Sequence, residues 1–125
     1  MSELRFVTFR RADRDIPIAF PIDAIRLVVH CDDFVRLYIQ DAARFIGVEP
    51  LPTKAHAEFL KNFISLEEDT WVNPIHVTML EREYDPVTPF AVVTVTGGTT
   101  LMCRKLSFDE FLFRAENTRI VKQKL

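Results

Sequence analysis

The sequence predicts an α+β protein, built mostly of antiparallel β-structure with two short helices. Three observations predict this class. Runs of β-branched and aromatic residues, such as 4–9 and 90–96, are typical of strands. Gly97-Gly98 predicts a hairpin whose two loop residues take positive φ. Ser107 and Glu110 have the spacing of the capping box that begins a helix.

The remaining elements follow from the same signals. Further strands are predicted at residues 16–20, 25–30, 34–40, 45–48, 63–66, 70–72, 75–81 and 101–105. Thr53 is the predicted N-cap of the first helix, and Phe59 is on its apolar side. The stripe of the second helix comprises Phe108, Phe111, Leu112 and Ala115. Residues 84–89 are predicted as a loop with two prolines, and residues 119–125 as a last strand or a frayed end.

The order of these elements recurs along the chain. Residues 1–62 and 63–125 each give several strands followed by one helix, and Glu58-Phe59-Leu60 matches Glu110-Phe111-Leu112. We therefore predict a tandem repeat, in which two β-rich units are each closed by a helix and share one compact core. The alternative is that a short domain of this class shows such self-similarity by accident.

Composition restricts the function classes. The chain has 125 residues, 48% hydrophobic and 27% charged, which is ordinary for a folded domain. The net charge of −2 gives no global reason to bind nucleic acid or an anionic membrane. No apolar run approaches the roughly 18 residues of a spanning helix, so we expect no membrane insertion and a cytoplasmic location.

The second half carries a pattern that extends beyond single elements. Its features are Asn73-Pro74, Leu80-Glu81, residues 93–97, and Ser107 followed by Asp109-Glu110 at the start of a terminal helix. In these features residues 63–115 resemble the small flagellar motility proteins called FlbD or SwrD. The resemblance implies a short β-rich unit without catalytic residues and an association with bacterial motility.

Four residues have side chains that could bind a metal or act as nucleophiles: His30, Cys31, His76 and Cys103. His30 and Cys31 are adjacent and point to opposite faces of a strand, so they could share one ion only if the strand ends there. His76 and Cys103 could join them if the two halves pack strand against strand. We favour a structural role for all four. The run Glu67-Glu68-Asp69 is interpreted as a solvated turn, since adjacent solvated carboxylates do not separate their pKa values. We expect no catalytic residue, no metal and no cofactor.

The favoured hypothesis is therefore a small non-enzymatic protein-binding or adaptor module. Several strands are apolar on both faces, which indicates double coverage or a surface for a protein partner or a second copy. The candidate contact residues are Arg10, Arg11, Trp71, Tyr84 and Phe113.

The alternative hypothesis is a nucleic-acid-binding regulator that uses basic clusters near the two ends of the chain. The clusters comprise Arg10, Arg11 and Arg14, and Arg119, Lys122 and Lys124. They would form one phosphate-binding patch if the tail folded back along the first strand. We rank this alternative second because Asp13 and Asp15 lie among the first three arginines.

Overall fold

The computed structural model describes residues 5–40 and 44–123, with side chains as far as Asn117. Its strands are β1 (Phe6–Arg10), β2 (Pro17–Pro21), β3 (Ile25–His30), β4 (Val35–Ile39), β5 (Phe45–Val48), β6 (Ile64–Glu67), β7 (Thr70–Val72), β8 (Val77–Asp85), β9 (Thr88–Val95) and β10 (Thr100–Cys103). The helices are α1 (Thr53–Leu60) and α2 (Phe108–Gln123). Short 3-10 turns, Ile22–Ala24 and Pro74–His76, precede β3 and β8.

The strands form three antiparallel sheets. The central sheet has the order β5-β4-β3-β7-β6, a ribbon consists of β1 and β2, and a three-stranded sheet has the order β10-β9-β8. Successive residues of β3 point to opposite faces of the central sheet. Val28 belongs to the core under the ribbon and α1, whereas Leu27 belongs to the core shared with β9, β10 and α2. The sheets are therefore stacked in three layers, with the central sheet in the middle.

The predicted α+β class is wrong. Within the described residues, ten strands account for most of the regular structure, and sheets pack mainly on sheets. The helices form no layer of their own, since the side chain that α1 buries is Phe59 and α2 inserts Phe111 at the side of the second core. The fold class is mostly antiparallel β, with two added helices.

The two predicted repeats contribute strands to one sheet. The element order of β1 to α1 does recur in β6 to α2. However, β7 pairs with β3, so the first two strands of the second half complete the sheet of the first half. The ribbon β1-β2 instead forms a sheet by itself and touches β5 through one bridge, Arg11 to Val48. The division into residues 1–62 and 63–125 as units of origin stays a prediction, because strand pairing does not test it.

Two local predictions are confirmed. Gly97 and Gly98 take φ of 96° and 86° between β9 and β10, a region that only glycine enters at little cost. The loop has three residues rather than the predicted two, because the amide of Val95 donates to the carbonyl oxygen of Thr99 and Thr96 belongs to the loop. The amide of Glu110 donates to Ser107 Oγ at 3.2 Å, and the amide of Ser107 donates to Glu110 Oε1 at 3.1 Å, which completes the capping box.

Other local predictions are wrong. The predicted loop 84–89 is the end of a long hairpin, in which Asp85 pairs with Thr88 around a turn formed by Pro86 and Val87. Pro52, not Thr53, is at the N-cap of α1, and no side chain caps that helix. The tail predicted as a strand or frayed end is helical through Gln123. Leu112 is largely exposed, although its spacing placed it on the buried stripe of α2.

Buried polar side chains join the layers. Asn73 is fully buried, and its amide donates to the carbonyl oxygens of Ile22 and Ile25 at 3.3 and 3.0 Å. Arg26 crosses to the three-stranded sheet and donates to the carbonyl oxygen of Thr96 at 2.6 Å. His76 Nε2 lies 2.6 Å from the carbonyl oxygen of Asp23, so this nitrogen is the donor. These bonds fix the turns that precede β3 and β8.

Candidate nucleic-acid interface

The arginine tip is the loop that joins β1 to β2 and carries Arg10, Arg11 and Arg14. Arg11 Nε and Nη2 bond to the two carboxylate oxygens of Asp13 at 2.9 and 3.1 Å, and Arg10 pairs with Asp15. Arg14 lies 4.0 Å from Asp13. These aspartates reduce the positive potential of the tip. The Arg11 guanidinium beside Asp13 lowers the pKa of that carboxyl group, so the Arg11–Asp13 pair persists as charged groups at neutral pH.

The tip lies against the edge of the central sheet. The amide of Ala12 donates to the carbonyl oxygen of Gly47 at 3.0 Å, and the amide of Glu49 donates to that of Arg10 at 2.8 Å. These bonds place the tip along β5, next to the outward-facing side chains of that strand.

The strands β4 and β5 present an aromatic surface next to the tip, which we call the aromatic platform. It comprises Phe34, Arg36 and Phe45. The ring centroids of Phe34 and Phe45 are 6.4 Å apart, with an angle of 28° between the planes. The guanidinium carbon of Arg36 lies 4.4 Å from the centroid of Phe45 and 5.8 Å from that of Phe34. Phe45 is 40% exposed.

Register and a glycine build the platform. Arg36 pairs with Gly47, and Tyr38 pairs with Phe45, so these side chains share one face of the sheet. A Cβ atom on Gly47 would lie 3.2 Å from the ring of Phe34 and 3.8 Å from the Cβ of Ala12. The missing side chain at Gly47 therefore lets Phe34 lean over β5 toward the tip.

Arg36 differs from the arginines of the tip in its partners. It forms no ion pair with any described carboxylate, and its buried Nε has no hydrogen-bond partner there. A guanidinium stacked on aromatic rings keeps donors at its edge for an incoming phosphate or base.

Two acidic turns limit this surface. The turn between β3 and β4 contains Asp32 and Asp33, and the turn between β6 and β7 contains Glu68 and Asp69. They lie side by side, because the amide of His30 donates to the carbonyl oxygen of Asp69 at 2.8 Å. Like charge would repel phosphate there, so an approaching nucleic acid would meet the Phe45 end of the platform.

The C-terminal basic cluster was predicted to merge with the tip. Arg119 and Lys122 belong to α2, but their side chains lie outside the described part of the structure, as does all of Lys124. The merged patch therefore stays a prediction.

The four candidate metal or nucleophilic residues lie in three different places. His76 is buried beside Asp23 and Thr96, and Cys103 is buried in the second core, where burial raises the pKa of its thiol. His30 pairs with His56, and Cys31 follows His30 at intermediate exposure. Across the described ranges, no group of three His, Cys, Asp or Glu residues is placed to hold a metal ion.

His56, on α1, is partly buried against His30. Its Nε2 lies 2.7 Å from Nε2 of His30, and the ring of Trp71 packs against His30 at a tilt of 44°, with a centroid distance of 4.5 Å. The His56 Nδ1 is buried without a partner in the described structure. A bare acceptor is easier to leave unpaired than a donor, so we assign the bonding proton to His56 Nε2, which donates to His30.

The predicted partner-contact residues are dispersed. Trp71 is half-buried against His30 and the first core, whereas Tyr84 on β8 is 59% exposed and Phe113 on α2 is 68% exposed. Arg10 and Arg11 belong to the tip. The structure therefore does not unite these five residues in one surface.

Phe34, Arg36 and Phe45 were missed as candidates by the sequence analysis. The alternation of Phe34, Arg36 and Tyr38 along one strand was a usable signal for a shared face. The neighbouring strand and its register could not be read from that alternation.

One solved structure has a similar arrangement of elements along nearly its whole length. It is the LytTr DNA-binding domain of a putative methyl-accepting/DNA response regulator from Bacillus cereus, with a TM-score of 0.59 and 14% identity. The match covers 89% of this chain and 94% of that chain. The two share a fold. The β-rich character of that domain agrees with the corrected fold class.

The other comparisons give no match: neither a model of a known protein family nor a curated protein is similar to this chain. The resemblance to the FlbD or SwrD proteins is untested by them and stays a prediction. No helix in the described part of the chain is long and apolar enough to cross a membrane.

Proposed function

We propose that this chain binds nucleic acid through the aromatic platform and the adjoining arginine tip. The observation that carries the proposal is the position of Arg36, which is held over two phenylalanine rings next to three further arginines. Exposed aromatic faces stack on bases, and guanidinium groups bind phosphate oxygens or base edges. The shared fold adds support, because the similar domain is described as DNA-binding.

Nucleic-acid binding, which the sequence analysis ranked second, is thereby placed ahead of protein binding. The net charge of −2 disfavours binding over the whole surface, but the acidic turns concentrate negative charge at one end of the central sheet. Binding would be confined to the other end of the platform. The ion pairs of the tip must be exchanged for contacts with phosphate, which predicts modest affinity and strong weakening by salt.

The first test is fluorescence anisotropy with labelled single-stranded and duplex DNA over a range of salt concentrations. Four arginines that contact phosphate would give a slope of log K against log salt of about −3. Arg36→Ala should weaken binding about tenfold or more, and Arg36→Lys should restore little, since lysine keeps the charge but not the stacking plane. Absence of binding at low salt would rule the proposal out.

Arg82→Ala is the matched control. Like Arg36, Arg82 is stacked on an aromatic ring, with its guanidinium carbon 4.9 Å from the centroid of Phe108, but unlike Arg36 it bonds to an aspartate, Asp109. It lies outside the platform and the tip. An equal loss of affinity for Arg82→Ala and Arg36→Ala would indicate nonspecific charge attraction and contradict the assigned surface.

A gain-of-affinity variant tests the tip directly. Asp13→Asn together with Asp15→Asn removes the carboxylates that hold Arg10 and Arg11 and leaves both arginines in place. We expect binding to strengthen several-fold, because Arg10 and Arg11 no longer give up ion pairs before they contact phosphate. Unchanged affinity would exclude the tip from the interface.

Protein binding remains a separate proposal, as do a link to bacterial motility and the absence of enzymatic activity. The exposed side chains of Tyr84 and Phe113 support protein binding, but they are not joined to the aromatic platform by any described contact.

A further inference from the structure

The outer face of the three-stranded sheet is the face that points away from the second core. Ala91, Val93 and Val95 of β9 are fully buried in that core, so the alternate residues Phe90, Val92 and Thr94 form the outer side. Directly opposite partners share a face. Met79 and Glu81 of β8, and Thr100 and Met102 of β10, therefore lie on the outer face beside β9.

This outer face is more apolar than a solvated sheet surface should be. Met102 is 43% exposed and lies opposite the half-buried Val92 of β9, and Met79 is 49% exposed and lies opposite Thr94, one row further along the same face. An antiparallel sheet with one side in water alternates between core-facing apolar residues and polar outward ones. Apolar residues in the middle of an outward face indicate a surface that is covered in the functional state.

Charge is distributed unequally across the two borders of this face. Glu81 and Glu83 lie along β8, and neither forms an ion pair with a described residue. Arg104 continues β10 on the other border, with its guanidinium carbon 5.4 Å from the centroid of Phe90 and one nitrogen 3.6 Å from Asp85. The β8 border is thus acidic, and the basic group of the β10 border is Arg104, which lies over Phe90 and reaches toward Asp85 at the end of β8.

We infer that this face binds a second copy of the chain, through a two-fold axis that runs parallel to β9. Turning a copy about that axis exchanges left and right, so the acidic β8 border of one copy faces the basic β10 border of the other. Arg104 then opposes Glu83 of the second copy, because both belong to the row that contains Phe90. A two-fold axis perpendicular to the strands would place β8 on β8 and oppose like charges.

The apolar side chains of this face fit the same arrangement. With the axis along β9, Val92 of each copy lies over Val92 of the other, and Met102 packs beside the aliphatic part of Glu81. Two-fold interfaces use the same patch on both copies and must be self-complementary in this way. Sheets that stack face to face keep their strands within about 30° of each other, which the inferred axis permits.

The interface is small, so its affinity is expected to be weak. A face of three short strands is at the low end of specific interfaces, below about 1,200 Å² in total, and implies a dissociation constant on the order of micromolar. Sedimentation velocity should therefore be measured on the full chain from low micromolar to about 500 µM. We expect a monomer at the lowest concentration and a dimer at the highest. A strict monomer throughout would overturn the inference and leave the face to a different partner.

Variants distinguish this face from any other route to a dimer. Met102→Glu adds charge to the centre of the face at an exposed position and should abolish dimerisation while the circular dichroism spectrum stays the same. Val87→Glu is the matched control, since Val87 is an exposed apolar residue at the tip of the β8–β9 hairpin, away from the face. Dimerisation that survives Met102→Glu, or is lost equally in Val87→Glu, would show that the copies meet elsewhere.

A charge exchange tests the orientation. Glu83→Arg alone and Arg104→Glu alone should each weaken the dimer about tenfold, and the chain that carries both changes should regain most of the affinity, because each new arginine meets a new glutamate across the axis. Failure of the double variant to recover, while both single variants remain folded, would exclude the inferred axis.

Discussion

The two faces of the central sheet are covered in different ways. The second face carries α2, which has a complete capping box and inserts the fully buried Phe111 into the second core. The first face carries α1, which has no side-chain cap and buries Phe59 together with the contact between His56 and His30. Helix α2 is therefore specified largely by its own sequence, whereas α1 depends on the residues that it packs against.

The largest expected effect tests the helix that carries its own signals. Phe111→Ala would leave a cavity in the second core and should lower the free energy of unfolding by about 3–5 kcal/mol. Leu112→Ala is the matched control on the exposed side of the same helix and should cost less than about 1 kcal/mol. Urea denaturation followed by circular dichroism measures both. Similar losses for the two variants would contradict the placement of α2.

A smaller effect is expected at the buried side chain of Asn73, which bonds to the segment that begins β3. Asn73→Ala removes the donor to the carbonyl oxygens of Ile22 and Ile25 in a fully buried site, and should cost about 2–3 kcal/mol. Asn62→Ala is the comparison on the first face, where the amide donates to the carbonyl oxygen of Phe59 in a half-buried site. It should cost about 1 kcal/mol. If both variants lost the same free energy of unfolding in urea, the difference in burial between the two amides would not matter for stability.

The first face should be sensitive to mild acid. Burial lowers the pKa of His30 below 6.5, although nearby Asp69 opposes this, and burial together with the charge of His30 lowers the pKa of His56. The unfolded chain therefore takes up protons first, so the stability contributed by the neutral pair is complete above about pH 6.5 and decreases as the pH falls below it.

The measurement is the free energy of unfolding by urea from pH 7.5 to pH 5. We expect the wild-type chain to lose stability as the pH falls below about 6.5, and the variant His30→Gln with His56→Gln to lose much less over the same range. A wild-type stability that rises on acidification, or an equal slope in the variant, would contradict the neutral histidine pair.

The smallest effect concerns the caps. Ser107→Ala removes the acceptor of the Glu110 amide and should destabilise the chain by about 1 kcal/mol. Thr53→Ala should change stability by less than about 0.5 kcal/mol, because Thr53 caps nothing in α1. Equal losses in urea denaturation would mean that α1 has a local cap after all.

These same elements differ in how well the sequence predicted them. The capping box of α2 and the positive φ of Gly97 and Gly98 are local, and the sequence predicted them correctly. The class was wrong because the pattern of apolar residues shows that strands are buried but not which sheet they join. The pairing of β7 with β3 depends on residues more than forty positions apart.

The candidate nucleic-acid interface was also predictable only in part. The arginines of the tip and the aspartates among them could be identified from the sequence, because they lie within a few residues of one another. The aromatic platform could not, because Phe45 reaches Arg36 and Phe34 only after β5 pairs with β4 in the observed register, and because Gly47 leaves space for the ring.

By itself, the sequence of this protein determined where strands alternate, where glycines turn and where a helix begins, since each of these depends on atoms a few residues apart. Only the tertiary structure decided that the sheets stack in three layers and that an arginine lies over two phenylalanines beside the tip. It also left apolar residues on the outer face of the three-stranded sheet. The physical reason is that burial and stacking depend on which distant strands meet, and many pairings satisfy the same local pattern.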